Sequence, residues 1–184
     1  MKNLVRISCI LLLTASACAA QVAQPQAPSQ DPPKEYAHIT NFLRVNDQIC
    51  TGGQPQMADL EKMKAEGIKA IINLRQASEY NAEEEAAKAT DVGLRYVHIP
   101  MNGREPKDED AEQFLKATYA AENRPAFIHC ASANRVGAMW LIRRVLRDGW
   151  SLEKAEEEAR KIGLTNKGLL SFAKDYIARH KAAS

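Results

Sequence analysis

The run Ile68 to Leu74 (IKAIINL) is almost continuously apolar. A strand with one face in water alternates apolar and polar residues. A run without that alternation belongs in a sheet covered on both faces, and such sheets are mostly parallel with helices packed above and below. The rest of the chain supplies matching pieces. Leu94–Ile99 and Pro125–His129 (PAFIH) read as further short strands. Asn41–Val45 and Gln48–Thr51 flank Asn46-Asp47 and read as a small hairpin or two edge strands. Helical spacing appears at Met57, Leu60 and Met63, with Gly67 where a C-cap would sit. Further helices are expected over Glu79–Thr90, Asp108–Glu122 and Gly137–Arg147. Another follows Ser151, a candidate N-cap, and ends at Gly163, and a last one carries Leu169 to Ile177. Strands alternating with helices give an α/β fold with a central, mostly parallel sheet of about four to five strands flanked by helices.

The first twenty residues have a different character. Lys2 and Arg6 precede an apolar stretch centred on Ile10 to Leu13, and small residues follow from Ala15 to Ala20. The stretch is too short to span a bilayer and reads as an export signal over 1–20. Cleavage before Ala20 or Gln21 would release the protein into the periplasm. Ala15-Ser16-Ala17-Cys18 alternatively resembles a lipoprotein signal, with Cys18 lipidated as a membrane tether. Residues 21–35 are rich in Pro, Gln and Ala, with too little apolar surface to offset the entropy of ordering, and read as a linker. One folded domain is expected over 36–184.

The formal net charge of +2 falls to about zero once Lys2 and Arg6 are set aside. A neutral body offers no electrostatic argument for nucleic acid or a membrane surface as partner. No spacing of His, Cys and carboxylates suggests a metal site, and no cofactor is implied. Beyond the leader only Cys50 and Cys130 remain. In an oxidising compartment they either pair reversibly or lie too far apart to meet.

The chemistry concentrates in His129-Cys130-Ala131-Ser132-Ala133-Asn134-Arg135. A strand ends in His-Cys, a loop of small and polar residues follows, and Arg135 opens a helix. In a mostly parallel sheet, ligands bind at this strand-to-helix junction. Backbone N–H groups of a tight loop converge, and the helix N-terminus adds positive potential. Arg135 can hold two oxygens of a phosphate-like group. The same field favours the thiolate of Cys130, an in-line nucleophile beneath a bound oxyanion.

This pattern resembles the protein tyrosine and dual-specificity phosphatase superfamily, whose signature is His-Cys, five residues, then Arg. The resemblance extends over roughly Asn41 to Leu164. It takes in the Thr51–Pro55 loop, Ile71-Asn73-Leu74-Arg75, and Asp148-Gly149-Trp150-Ser151, features of a bacterial subgroup of atypical dual-specificity phosphatase-like proteins. It implies a cysteine-dependent phosphatase domain over 36–184. Cys130 would take the phosphoryl group, Arg135 would bind phosphate, and the backbone of Ala131, Ser132, Ala133 and Asn134 would cradle it. The implied substrate is a phosphorylated small molecule or phosphoprotein, with phosphotyrosine among the candidates.

Three positions depart from the pattern. Only four residues separate Cys130 from Arg135. Val136 stands where the family often has Ser or Thr. Asn102 and Gly103 stand where it usually has the general-acid Asp. Glu105 and Asp108 lie a little further along and are the substitute acids, although Asp108 also suits a helix N-cap and Glu105 a solvated loop. The short loop also admits a rhodanese-like sulfurtransferase working through a Cys130 persulfide. Without an acid, an oxyanion- or phosphoprotein-binding module is the third reading. His129 is expected to orient the loop by hydrogen bonds, Arg75 to pair with Glu79, and Cys50 to be a buried strand residue.

Overall fold

A computed structural model describes residues 34–181. The export signal over 1–20, the lipidation site Cys18 and nearly all of the 21–35 linker lie outside the described residues. Besides two short 3-10 turns at Lys34–Tyr36 and Ala121–Asn123, eleven strands and α-helices follow one another among the described residues. They are β1 (Leu43–Asn46), β2 (Ile49–Gly52), α1 (Met57–Ala65), β3 (Ala70–Asn73), α2 (Ala82–Asp91), β4 (Arg95–His98), α3 (Asp108–Tyr119), β5 (Ala126–His129), α4 (Asn134–Leu146), α5 (Leu152–Ile162) and α6 (Lys167–Lys181).

The sheet has five strands in the order β1-β2-β5-β3-β4. Only β1 runs antiparallel, in a hairpin with β2 whose register slips between Arg44 and Asn46. The strands β2, β5, β3 and β4 are parallel. The expected mostly parallel α/β sheet is therefore the observed one, and its central strand is β5, the one that leads into Cys130.

Side chains on the strands alternate between two cores. Ala70, Ile72, Ala126 and Ile128 face a large cluster shared with α3, α4, α5 and α6. Cys50, Ile71 and Phe127 face a smaller one closed by α1, α2 and the segment from Tyr36 to Phe42. Both faces of β3 and β5 are thus covered, which is why these strands lack polar alternation. The N-terminal turn is anchored by Tyr36, buried and stacked on Phe42 with ring centroids 4.8 Å apart. The hub of the larger core is α4. Trp140 is fully buried, and its ring lies beneath the guanidinium groups of Arg143 and Arg144 at 4.5 and 4.9 Å.

One helix start and one helix cap differ from expectation in ways that matter for the site. Helix α2 starts at Ala82, not Glu79, because Asn81 caps it by accepting a hydrogen bond from the Glu84 N–H. Glu79 is left in the β3–α2 loop. Helix α3 starts at Asp108, so Asp108 is its first residue and not its cap. The Asp110 carboxylate instead accepts from the Lys107 N–H. Ser151 caps α5 as expected, accepting from the Lys154 N–H.

Candidate active site

Where β5 ends, the chain passes through Cys130 and turns into α4 within four residues. The turn is made by Ala133, the residue before the helix, which adopts a left-handed backbone conformation with φ of 63°. For a residue with a Cβ this costs about 1–2 kcal/mol. Such strain persists only where the surroundings impose it. Here they do so from two sides. The Ser132 carbonyl accepts from the Asn41 side chain at 3.0 Å. The Asn134 side-chain oxygen accepts from the Thr165 N–H, the Thr165 hydroxyl and the Asn166 N–H at 2.8, 3.2 and 2.9 Å, fastening the loop to the turn between α5 and α6. The first-turn N–H groups of α4 have no partner within the helix.

Cys130 and Arg135 come together in one cavity of about 600 Å³, which Ser132 and Asn134 also line. Cys130 sits at its base, with 1% of its surface exposed. Arg135 is almost as buried. Its Nη1 donates to the Glu79 carboxylate at 2.6 Å and to the Met101 carbonyl at 2.9 Å, and its Nη2 donates to the second Glu79 oxygen at 2.7 Å. The outer edge of the guanidinium is thus fully engaged. Burial works against its charge, but Glu79 and the nearby Cys130 sulfur outweigh that and raise the Arg135 pKa. The loop after β4 lies directly on this side chain. A Cβ on Gly103 would stand 3.4 Å from Arg135 Cδ, an ordinary contact distance.

The sequence pointed to Glu79 only as a partner for Arg75, not as a residue of the site. It reaches the cavity because α2 begins late. The Arg135 hydrogen bonds hold its pKa below the usual carboxylate value, with the Gln76 N–H and the charge of Arg75 acting in the same direction. Arg75 makes the expected pair, its Nε 3.8 Å from Glu79, and also donates to the Glu79 carbonyl and to the Gln54 side chain. It does not line the cavity.

The two substitute acids are placed elsewhere. Both oxygens of Asp108 are gripped by Arg179 of α6, at 2.6 and 2.9 Å, and Asp108 is absent from the cavity lining. Glu105 is exposed on the loop and does not line it either. Glu79 is the carboxylate the cavity does contain.

His129 also departs from expectation. It points into the smaller core, away from Cys130, and stacks on Phe127 with centroids 5.8 Å apart. Neither ring nitrogen makes a hydrogen bond. Its Nε2 lies 3.3 Å from a Glu85 carboxylate oxygen. Glu85 is itself fully buried and accepts from Gln54, Asn73 and Tyr96. Cys50 faces this same core, whereas Cys130 faces the other. Both thiols are free, and burial raises the pKa of Cys50. Among the described residues no group of three or more His, Cys, Asp or Glu is gathered to hold a metal ion.

Residues 22–179 match a family described as DSP-PTPase phosphatase fused to NAD+ kinase. A beta-lactamase hydrolase-like protein of Agrobacterium fabrum is 30% identical over 146 residues, 77% of this chain and 32% of that protein. The chain thus spans about a third of the length of that relative. The dual specificity protein phosphatase TpbA of Pseudomonas aeruginosa is 21% identical over 161 residues, 86% of this chain and 70% of TpbA. A crystal structure of TpbA in complex with pTyr superposes with a TM-score of 0.61 at 19% identity, covering 83% of this chain and 86% of that one. The core catalytic domain of the PP-IP phosphatase SIW14 of S. cerevisiae, in complex with citrate, gives 0.65 at 21% identity, covering 79% and 93%. At these identities the superpositions speak for the fold.

Proposed function

Since the chain belongs to the family of DSP-PTPase phosphatases fused to NAD+ kinase, we propose that it hydrolyses phosphomonoesters through a phosphocysteine on Cys130. The observation that carries this reading is the meeting of Cys130 and Arg135 at the base of one cavity. The Cys130 thiolate attacks phosphorus, the S–P bond forms as the ester P–O bond breaks, and the leaving oxygen takes up a proton. Water then attacks the phosphocysteine, the S–P bond breaks, and inorganic phosphate leaves with the thiolate restored. Arg135, with its outer edge committed to Glu79 and Met101, presents its remaining N–H groups to the phosphoryl oxygens. The first-turn amides of α4 add their dipoles.

Phosphotyrosine is the first substrate to assay, because the TpbA structure contains it. The expected result is phosphate release from p-nitrophenyl phosphate and phosphotyrosine by the purified protein, abolished in Cys130→Ser with folding intact. Thiocyanate production from thiosulfate and cyanide, with no phosphate released, would overturn this in favour of sulfur transfer. Phosphate binding without either reaction would leave a binding module. The same proposal places the reaction outside the cytoplasm, since residues 1–20 read as an export signal. Fractionation of cells expressing the full chain, with mass analysis for a lipid on Cys18, tests it.

A further inference from the structure

The cavity extends well beyond the space a phosphoryl group fills, and its upper lining has one consistent character. Gln76, Asn102 and Asn166 contribute carboxamides, Leu169 contributes an aliphatic side chain, and Arg104 contributes a cation. No aromatic ring is among these lining residues. A site that grips an aryl ester buries the ring against apolar or aromatic surface. A lining of amides suits an alcohol portion that carries its own hydroxyl groups.

Arg104 is the telling residue. Arg135 is already balanced by Glu79, so Arg104 is the cation of the cavity whose charge is not met. Its side chain pairs with no carboxylate and makes no side-chain hydrogen bond among the described residues. Its backbone is nonetheless fixed, because its N–H donates to the Asn102 side chain at 3.0 Å. The exposed side chain therefore stands on an anchored loop and lines the same cavity as Cys130. We infer that the substrate is a hydrophilic phosphomonoester bearing a second anionic group, such as a sugar or polyol bisphosphate, and that Arg104 binds this second group. The inference rests on the phosphatase reading above and narrows it.

The experiment uses the full chain and p-nitrophenyl phosphate as reporter. Fructose 1,6-bisphosphate, fructose 6-phosphate and phosphotyrosine are added as competitors, and their inhibition constants are measured on the wild type and on Arg104→Gln. Competition reports binding whether or not the competitor is itself turned over. The bisphosphate is expected to bind about 10-fold tighter than the monophosphate, the weight of one charge-assisted hydrogen bond. Arg104→Gln removes most of that advantage, while the monophosphate constant changes far less. Raising the salt concentration shrinks the advantage in the wild type, because Arg104 is exposed. Equal binding of the two sugar phosphates, tighter binding of phosphotyrosine than of the bisphosphate, or an unchanged ratio in Arg104→Gln would each overturn the inference. Cys130→Ser separates this from the reading beneath it. Turnover of the reporter that survives Cys130→Ser would sink the phosphocysteine mechanism whatever the competitors do.

Discussion

Replacing Gly53 by alanine would strike the catalytic loop from below. Gly53 follows β2 and pairs with Ser132 across an isolated bridge. Its N–H also donates to the Thr40 carbonyl at 2.7 Å. A Cβ at this position would lie 2.8 Å from the Ala131 carbonyl oxygen, 3.2 Å from the Thr40 Cβ and 3.2 Å from the Thr40 carbonyl. The Ala131 contact has to open by about 0.6 Å to reach the 3.4 Å of ordinary packing. Two of the three neighbours are backbone, so no side chain can swing aside. Overpacking of this kind costs about 1–3 kcal/mol. At about 2–4 °C per kcal/mol for a chain of this size, the melting temperature should fall by about 2–12 °C.

The catalytic cost follows from the same displacement. Ala131 is the residue after Cys130, and misplacing reacting groups by about 1 Å costs on the order of 100-fold. A shift of about 0.6 Å on that scale lowers kcat/KM on p-nitrophenyl phosphate by about 10-fold. Gly52→Ala supplies the contrast. Its Cβ would meet Ile39 Cγ2 at 2.9 Å and the Phe127 ring at 3.2 Å, in the core on the far side of the sheet from Cys130. That variant should lose stability with turnover per folded molecule little changed. Calorimetry and steady-state kinetics on the two variants decide the matter. A Gly53→Ala protein with unaltered kcat/KM would refute the claim that the Ala131 carbonyl sets the position of the nucleophile.

Three other outcomes are expected. Asp108→Asn should leave kcat unchanged and cost no more than about 1 kcal/mol in urea unfolding, because its pair with Arg179 is exposed. A kcat loss on the scale of general-acid catalysis, about 100-fold, would restore Asp108 as the acid. Glu79→Gln should lower kcat/KM by about 10-fold, since the amide can meet only part of the Arg135 fork and the guanidinium loses its charged partner. Rates equal to wild type would show that Arg135 needs no such holding. Glu85 titrates in an identifiable direction. Burial alone would raise its pKa, but His129 and the hydrogen bonds from Tyr96 and Gln54 prevail and lower it from 4.5. Stability from the ionised carboxylate is therefore fully present above that pH and is lost as the pH falls through the lower folded value. In Glu85→Gln the stability should depend less on pH below about 4.5 than in the wild type, and identical acid profiles would contradict this.

What the sequence made legible was local. Cys130 and Arg135 fall on one strand-turn-helix segment, so backbone geometry alone brings them together, and no distant contact was needed to read them as a pair. The buried strands announced themselves because their faces are covered by helices that the chain itself encodes nearby. The residues that escaped are those whose surroundings come from afar. Glu79 stands 56 residues from Arg135 in the chain. The acidic, alanine-rich stretch after it suggested a helix already under way, and only Asn81 at capping distance from Glu84 hinted that Glu79 was free. Asp108 was drawn to the site by its proximity in sequence to the expected acid position. Arg179, 71 residues later, holds it on another surface. His129 was read from its neighbour Cys130, although alternation along β5 sends adjacent side chains to opposite faces.

The hydrogen bonds on Asn134 carry an implication for the far end of the molecule. One side-chain oxygen ties the catalytic turn to Thr165 and Asn166, and Asn166 in turn caps the start of α6 through the Leu169 N–H. The last helix is thereby a strut for the chemistry, although it supplies no reacting group. A protein cut short before Lys167 would retain Cys130, Arg135 and Glu79 yet surrender the brace behind them. Proteolysis or a docking partner at the C-terminal helix would, by the same linkage, disturb the loop that carries Cys130.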